Sequence, residues 1–151
     1  MCNPITGATL ATFLKSSSSQ PFMIIDARFD YEFESGHIDG AININSPADL
    51  EKIFLQDTER LRDLMRTNSI LIFHCEFSER RGPQMFRTLR ELDRRINEHR
   101  WPQMFFPEMY LLDKGFARFS KDYPEHCVGS YLPQADHNRE KNRERSRKHA
   151  V

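Results

Sequence analysis

The chain has 151 residues, enough for one domain with a substantial core and too few for two. Lysine plus arginine and aspartate plus glutamate number 22 each, so no global charge argues for nucleic acid, a membrane surface or an acidic ligand; any electrostatic function has to be local. Three widely spaced cysteines, Cys2, Cys75 and Cys127, suit neither a disulfide framework nor a metal site and point to reduced thiols in a soluble, intracellular protein.

No stretch approaches the roughly 20 apolar residues of a membrane span, and MCNPITGATLATFL lacks the basic flank of a secretory signal. TGATLATFLK predicts a short helix with Leu10, Phe13 and Leu14 on one face, and SSSSQP breaks it. FMIID, residues 22–26, predicts a buried strand. RFDYEFESGHIDGAININ predicts a turn-like acidic and aromatic segment punctuated by Gly36 and Gly40, then a second short strand at 41–44. Residues 47–54 and 58–66 read as helices, and Ile-Leu-Ile-Phe at 70–73 is the clearest strand. Beyond Gly82, Met85, Leu89, Leu92 and Ile96 recur at spacings of four, three and four, the core stripe of an amphipathic helix. MFFPEMYLLDKGF continues as an extended apolar segment to Gly115, and FARFSKDY predicts another helix. Strands alternating with helices imply parallel pairing in a layered α/β fold.

From residue 137 the composition turns to HNREKNRERSRKH, six basic and two acidic side chains with nothing apolar. Residues 1–136 therefore read as the domain and 137–151 as a basic C-terminal tail that cannot bury a core. The tail is either a solvated or frayed segment or a docking or nuclear-targeting patch.

ILIFHCEFSERRGPQMF, residues 70–86, reads as a strand, a tight loop and a helix N-terminus, which is where ligands sit in open parallel sheets. Amides at a helix start carry partial positive charge, and those of the preceding loop can converge into an anion-binding nest. Such a cradle suits an anionic sulfur at Cys75, acting as nucleophile, and an oxyanion placed above it. Arg81, six residues on, lies where its planar fork can grip two oxygens of a tetrahedral phosphate. Cys75 and Arg81 thus form a Cys-x5-Arg pair, and Glu76, Phe77, Ser78, Glu79, Arg80 and Arg81 form the phosphate-binding loop. The spacing alone is a weak signal. The apolar strand before it, His74 beside it, Gly82 and Pro83 after it and the periodic helix beyond strengthen it. His74 is expected to order the loop by hydrogen bonding rather than to act as a base, and Arg80 to face solvent.

HCEFSERRGPQM resembles the signature of the M-phase inducer phosphatases, the dual-specificity cell-division-cycle phosphatases that activate cyclin-dependent kinases. MIIDARFDYEFESGHIDGAININ is similar to their first strand and turn, RELDRRIN to their post-loop helix, and PEMYLLDKGF and SYLP to their later segments, so the similarity spans most of residues 22–134. The resemblance implies a rhodanese-like α/β fold, a five-stranded parallel sheet flanked by helices on both sides. It implies removal of phosphate from adjacent phosphothreonine and phosphotyrosine of a kinase's glycine-rich loop, through a cysteinyl-phosphate, without metal or cofactor. The implied partner is a phosphorylated cyclin-dependent kinase with its cyclin; nucleic acid and membrane are not expected, and the protein is expected to be a monomer of nucleus and cytoplasm.

The resemblance also assigns residues. Glu76 matches a family position considered for the general acid, while Arg80 replaces the other family glutamate and Glu79 sits one place earlier. Trp101-Pro102-Gln103 is similar to the acid-bearing loop of classical tyrosine phosphatases, but glutamine cannot donate as an acid and the string follows the cysteine. Ala27 stands where many relatives carry a cysteine able to pair with the nucleophile. Arg90 and Arg94 match positions that hold the kinase, and His99 replaces an aromatic docking residue. The long regulatory N-terminal region of the family is not in this sequence, as in a compact stand-alone member or an excised catalytic domain. Three rivals stay open: arsenate reduction with the same Cys-x5-Arg loop, sulfur transfer, which generally uses a loop one residue shorter, and a catalytically silent binding module.

Overall fold

The computed structural model describes residues 2–16 and 20–134. In chain order its elements are β1 (Pro4–Ile5), α1 (Gly7–Lys15), β2 (Phe22–Asp26), α2 (Asp30–Ser35), β3 (Gly36–Ile38), β4 (Ile42–Asn43) and α3 (Pro47–Glu51). A π-helical turn (Lys52–Gln56), α4 (Thr58–Arg66), β5 (Ile70–His74) and α5 (Arg81–Ile96) follow. A 3-10 turn (Glu98–Arg100), β6 (Met109–Leu112), α6 (Gly115–Asp122), a second 3-10 turn (Pro124–His126) and β7 (Cys127–Gly129) complete it.

Five strands make one sheet in the order β1-β6-β5-β2-β4, every pair parallel. The two apolar runs become its centre, with Phe22 opposite Ile70 and Asp26 opposite His74. Strands apolar on both faces have to be covered on both, and alternate side chains divide accordingly. Ile25, Leu71 and Phe73 pack with Leu50, Phe54, Met85, Phe86 and Leu89 from α3, the π-turn and α5. Ile24 and Ile72 pack on the opposite face with Leu10, Phe116 and Phe119 from α1 and α6. Truncating a fully buried side chain such as Phe73 to alanine is expected to cost about 3–5 kcal/mol. Caps set several helix starts: the side chains of Thr6, Ser46 and Asp57 accept the amides of Thr9, Asp49 and Arg60, and Pro47 follows its cap directly.

The predicted helices at the N-terminus, at 58–66, after Gly82 and at 116–123 form within a residue or two of their expected ends. Four readings need correction. The segment after β2 is not merely turn-like, because α2 starts where the Glu32 carboxylate accepts the Phe29 amide at 2.9 Å, and β3 then pairs antiparallel with the unanticipated β7. The helix predicted for 47–54 stops at Glu51 and widens into the π-turn. Of the extended segment before Gly115 only Met109–Leu112 is a strand. The α5 stripe is rotated: Met85 and Leu89 are buried, but Ile96 is 43% exposed while Phe86 and Asp93 are buried. Asp93 turns inward because its carboxylate receives the amides of Phe105 and Phe106, each at 2.8 Å. The basic tail from residue 137 lies outside the described residues.

Candidate active site

Strand β5 ends at His74, and the loop to α5 begins with Cys75, whose surface is only 3% exposed. Two glycines let other elements close on this loop. A Cβ at Gly82 would stand 3.1 Å from the His74 carbonyl carbon, tighter than most side chains tolerate, so glycine lets the first turn of α5 lie against the strand end without displacing it. Gly115 has φ +66°, and a Cβ there would meet the Glu76 and Cys75 oxygens at 2.5 and 2.7 Å.

That approach decides which way the loop faces. The first amides of α6 donate to the loop carbonyls, Phe116 N to Cys75 O and Ala117 N to Glu76 O, both at 2.9 Å. In a planar trans peptide the N–H points opposite to the C=O, so the amides of Glu76 and Phe77 point away from α6. At the other end Arg80 O accepts from Gln84 N at 3.0 Å, which turns the Arg81 amide off the start of α5. Ser78 takes a left-handed conformation, φ 55°, at the middle of the loop. Among the described residues the amides of residues 76–81 have no protein acceptor. The loop is a bowl of donors around a cavity of about 220 Å³, lined by Cys75, Glu76, Phe77, Glu79, Arg80, Arg81 and Gln134.

Arg81 is held from behind. Its Nη1 and Nη2 donate to Oε2 and Oε1 of Glu32 at 2.5 and 3.1 Å, and its guanidinium carbon stands 5.4 Å from the Phe29 ring centroid. Burial works to lower the Arg81 pKa, and the hydrogen bonds and charge of Glu32, helped by Cys75 and Glu76, outweigh it and raise it. Glu32 occupies the Nη1–Nη2 edge, so the Nε–Nη2 edge remains for two oxygens of a ligand.

A second buried cluster lies under the loop. The Asp26 carboxylate accepts from Arg28 Nη2 at 2.7 Å and from its Nε at 3.0 Å, and Arg28 Nη2 also reaches Gly36 O at 2.7 Å. Burial works to raise the Asp26 carboxyl; the charges of His74 and Arg28 and the bonds from Arg28 outweigh it and leave it lowered. Burial pushes His74 down against the pull of Asp26. A carbonyl can only accept, so His74 Nδ1–H donates to Cys75 O, 3.1 Å away, in the loop-ordering role expected for it. Among the described residues Arg28 Nη1, His74 Nε2 and Ser78 Oγ are buried without a hydrogen-bond partner.

The other named residues fall as follows. The Glu76 carboxylate accepts the Gln134 amide at 2.9 Å, and burial, with the nearby charge of Glu76 next, pushes the Tyr131 phenol up to about 12. Glu76 therefore sits as an acceptor that ties the C-terminal segment to the loop. Arg80 is exposed yet lines the cavity. Arg90 is engaged internally, donating to Phe106 O at 2.7 Å, whereas Arg94 is exposed in the same surface cleft. Trp101-Pro102-Gln103 lies beyond the C-terminal end of α5, a 16-residue helix whose first residue is Arg81, so about 24 Å of helix separates it from the loop. Ala27 is buried beside His74, its amide on His74 O at 2.8 Å. Reading the sequence alone missed Asp26, Arg28, Glu32, Tyr131 and Gln134. A signal existed for two: Asp26 ends a strand at the ligand-binding edge, and Glu32 stands three residues into a helix start.

Known proteins resemble this chain in sequence and in fold. The chain is 43% identical over 134 residues to M-phase inducer phosphatase 3 of Xenopus laevis, a match covering 85% of this chain and 23% of that one. The chain spans about a quarter of the length of the curated relatives it matches. A yeast protein tyrosine phosphatase of the rhodanese family superposes with TM-score 0.57 at 23% identity, covering 89% of this chain and 98% of that one. The As-Sb reductase of Leishmania major superposes with TM-score 0.65 at 19% identity, covering 89% and 90%. Both structural likenesses speak to the fold. The rhodanese-like domain model matches residues 9–122, from α1 to the end of α6, and with the parallel sheet and the loop at its carboxyl edge it shows that the chain belongs to the rhodanese-like domain family.

Proposed function

We propose that this chain is a cysteine-based, dual-specificity protein phosphatase that hydrolyses phosphotyrosine and phosphothreonine on a cyclin-dependent kinase and so promotes cell-cycle progression. The observation that carries the reading is the anchoring of the Cys75 and Glu76 carbonyls by α6, which aims the loop amides at the space shared by Cys75 and Arg81. The relatives named M-phase inducer phosphatases support the choice of reaction.

The Cys75 thiolate attacks phosphorus in line; the S–P bond forms as the bond to the leaving oxygen breaks. Loop amides and the free edge of Arg81 hold the equatorial oxygens as charge develops. Glu76 already accepts the Gln134 amide, so the leaving oxygen takes its proton from the substrate, which reacts as the singly protonated phosphate. Monoanion and thiolate then give a cysteinyl-phosphate dianion and a neutral alcohol or phenol, and charge balances. A site this open grips the phosphate and leaves the choice of protein to surfaces elsewhere, of which exposed Arg94 beside α5 is the first candidate. The basic tail, in this reading, serves docking or delivery to the nucleus.

The test is one assay panel on the parent protein and Cys75→Ser: an aryl phosphate, a doubly phosphorylated kinase and cyclin complex, and arsenate with thiols. Arsenate belongs in it because it shares the shape and charge of phosphate. Cys75-dependent hydrolysis of both phosphates is expected; arsenate turnover without aryl-phosphate hydrolysis would reverse the assignment.

A further inference from the structure

The cavity wall is supplied almost entirely by the contiguous loop from Cys75 to Arg81. Gln134 alone, among the described residues, reaches it from elsewhere in the chain. That position is built. The Gln134 amide donates to Glu76 Oε2 at 2.9 Å, and the Tyr131 ring packs edge-on to Phe116 with centroids 5.9 Å apart. Residue 134 is thereby tied to the neighbour of the nucleophile. The backbone of Gln134 makes the tie, and among the described residues its side-chain amide has no hydrogen bond.

The chemistry at the cavity is lopsided. Loop amides and Arg81 are all donors, suited to phosphoryl oxygens and useless for aiming the lone pair of a water at phosphorus. The carboxylates nearby carry charge that a bound phosphoryl dianion repels. A glutamine offers an uncharged acceptor and a donor on one planar group, the equipment with which water is oriented in phosphoryl transfer.

We propose that Gln134 orients the water that hydrolyses the cysteinyl-phosphate, an inference that rests on the phosphatase reading above. In this step Gln134 Oε1 accepts one hydrogen of the water while its oxygen attacks phosphorus opposite sulfur. The O–P bond forms, the S–P bond breaks, and the electron pair returns to Cys75. The second water proton passes to a phosphoryl oxygen. Cysteinyl-phosphate dianion plus water thus gives thiolate plus dihydrogen phosphate, without an outside base.

The experiment is rapid-quench kinetics with p-nitrophenyl phosphate on the parent, Gln134→Leu and Gln134→Asn. Since kcat/KM reports only steps through the first release of phenol, Gln134→Leu is expected to keep it within about twofold. Its kcat should drop on the order of ten- to a hundredfold with KM falling in parallel. The phenol burst should approach one per active site, with phosphate trapped on Cys75; Gln134→Asn, a shorter amide, should recover part of the rate. Equal losses of kcat and kcat/KM without a burst, or no change in burst and kcat, would overturn the proposal. Failure of the parent to phosphorylate Cys75 would sink the phosphatase reading itself. A parent that does so, beside a Gln134→Leu protein that releases phosphate at the parental rate, would sink only the role of Gln134.

Discussion

Helix α5 begins and ends against buried polar groups. At its C-terminal end Asp93 accepts Asn97 Nδ2 at 2.7 Å and the amides of Phe105 and Phe106 at 2.8 Å each, and Arg90 closes on the Phe106 carbonyl at 2.7 Å. At its N-terminal end the Asp26–Arg28–His74 cluster and the Glu32 carboxylate are just as buried, yet among the described residues Arg28 Nη1, His74 Nε2 and Ser78 Oγ have no hydrogen-bond partner and the loop amides have no protein acceptor. Buried polar groups are normally satisfied, because an unmet donor or acceptor costs about 1–3 kcal/mol. The chain meets that rule where the network only has to hold the backbone of residues 105–107. It departs from the rule beside the loop where the phosphate is proposed to bind. Incomplete bonding therefore sets the end of the helix that carries the proposed site apart from the other.

The largest expected effect separates chemistry from grip. Cys75→Ser should lower turnover of an aryl phosphate on the order of 10³-fold or more while tungstate, an oxyanion probe, still binds, since the bowl of amides is intact. Arg81→Lys should cost on the order of 10²-fold in kcat/KM and weaken tungstate as well, because an ammonium cannot replace the two-pronged edge. Tungstate affinity unchanged in Arg81→Lys would show that the guanidinium does not face the ligand.

Asp93→Ala probes the other end of the helix. It strands two buried amides and should lower unfolding stability by about 3 kcal/mol, measured by denaturant titration, with kcat per folded molecule within about twofold of the parent. A collapse of kcat at full folding would erase the distinction between the two ends.

A smaller effect should appear with pH. Unfolded histidine takes up a proton near its ordinary 6.5, whereas buried His74 resists protonation until lower pH. The unfolded state then binds more protons, so this contribution is fully present above about pH 6.5 and is lost as pH falls below it. Asp26, also lowered, acts with the same sign further into acid, below its ordinary 3.8. Denaturation midpoints at pH 7.5 and 5.5 should differ more for the parent than for His74→Asn; equal differences would argue that His74 is already charged in the fold.

The smallest expected difference is chemical. With Ala27 where a second thiol would be needed, peroxide should carry Cys75 past sulfenic acid to irreversible products. Full recovery of activity with dithiothreitol would contradict this.

Legibility in the sequence divides along the same line. The strand 70–74, the glycine after Arg81 and the nucleophile-to-clamp spacing are local, and local pattern placed β5, Cys75, Arg81 and α5 within a residue or two. Glu32 and Gln134 reach the site across 49 and 58 residues of separation, from Arg81 and from Glu76 respectively, and no periodicity encodes such a meeting. Asp93 shows the same limit in the fold. Apolar spacing put Ile96 inside, but two amides from a later turn pulled a carboxylate in and rotated the helix. β3 and β7 were missed because each is three residues long and gains its identity only from the other.

The central claim is a covalent phosphoenzyme at Cys75 formed inside a bowl of inward-facing amides. Its most direct test is acid quenching of the parent during turnover of an aryl phosphate, followed by peptide mass spectrometry. The account predicts phosphate on the sulfur of Cys75, absent from Cys75→Ser. Steady hydrolysis with Cys75 never labelled, or with Cys75→Ser as active as the parent, would contradict it.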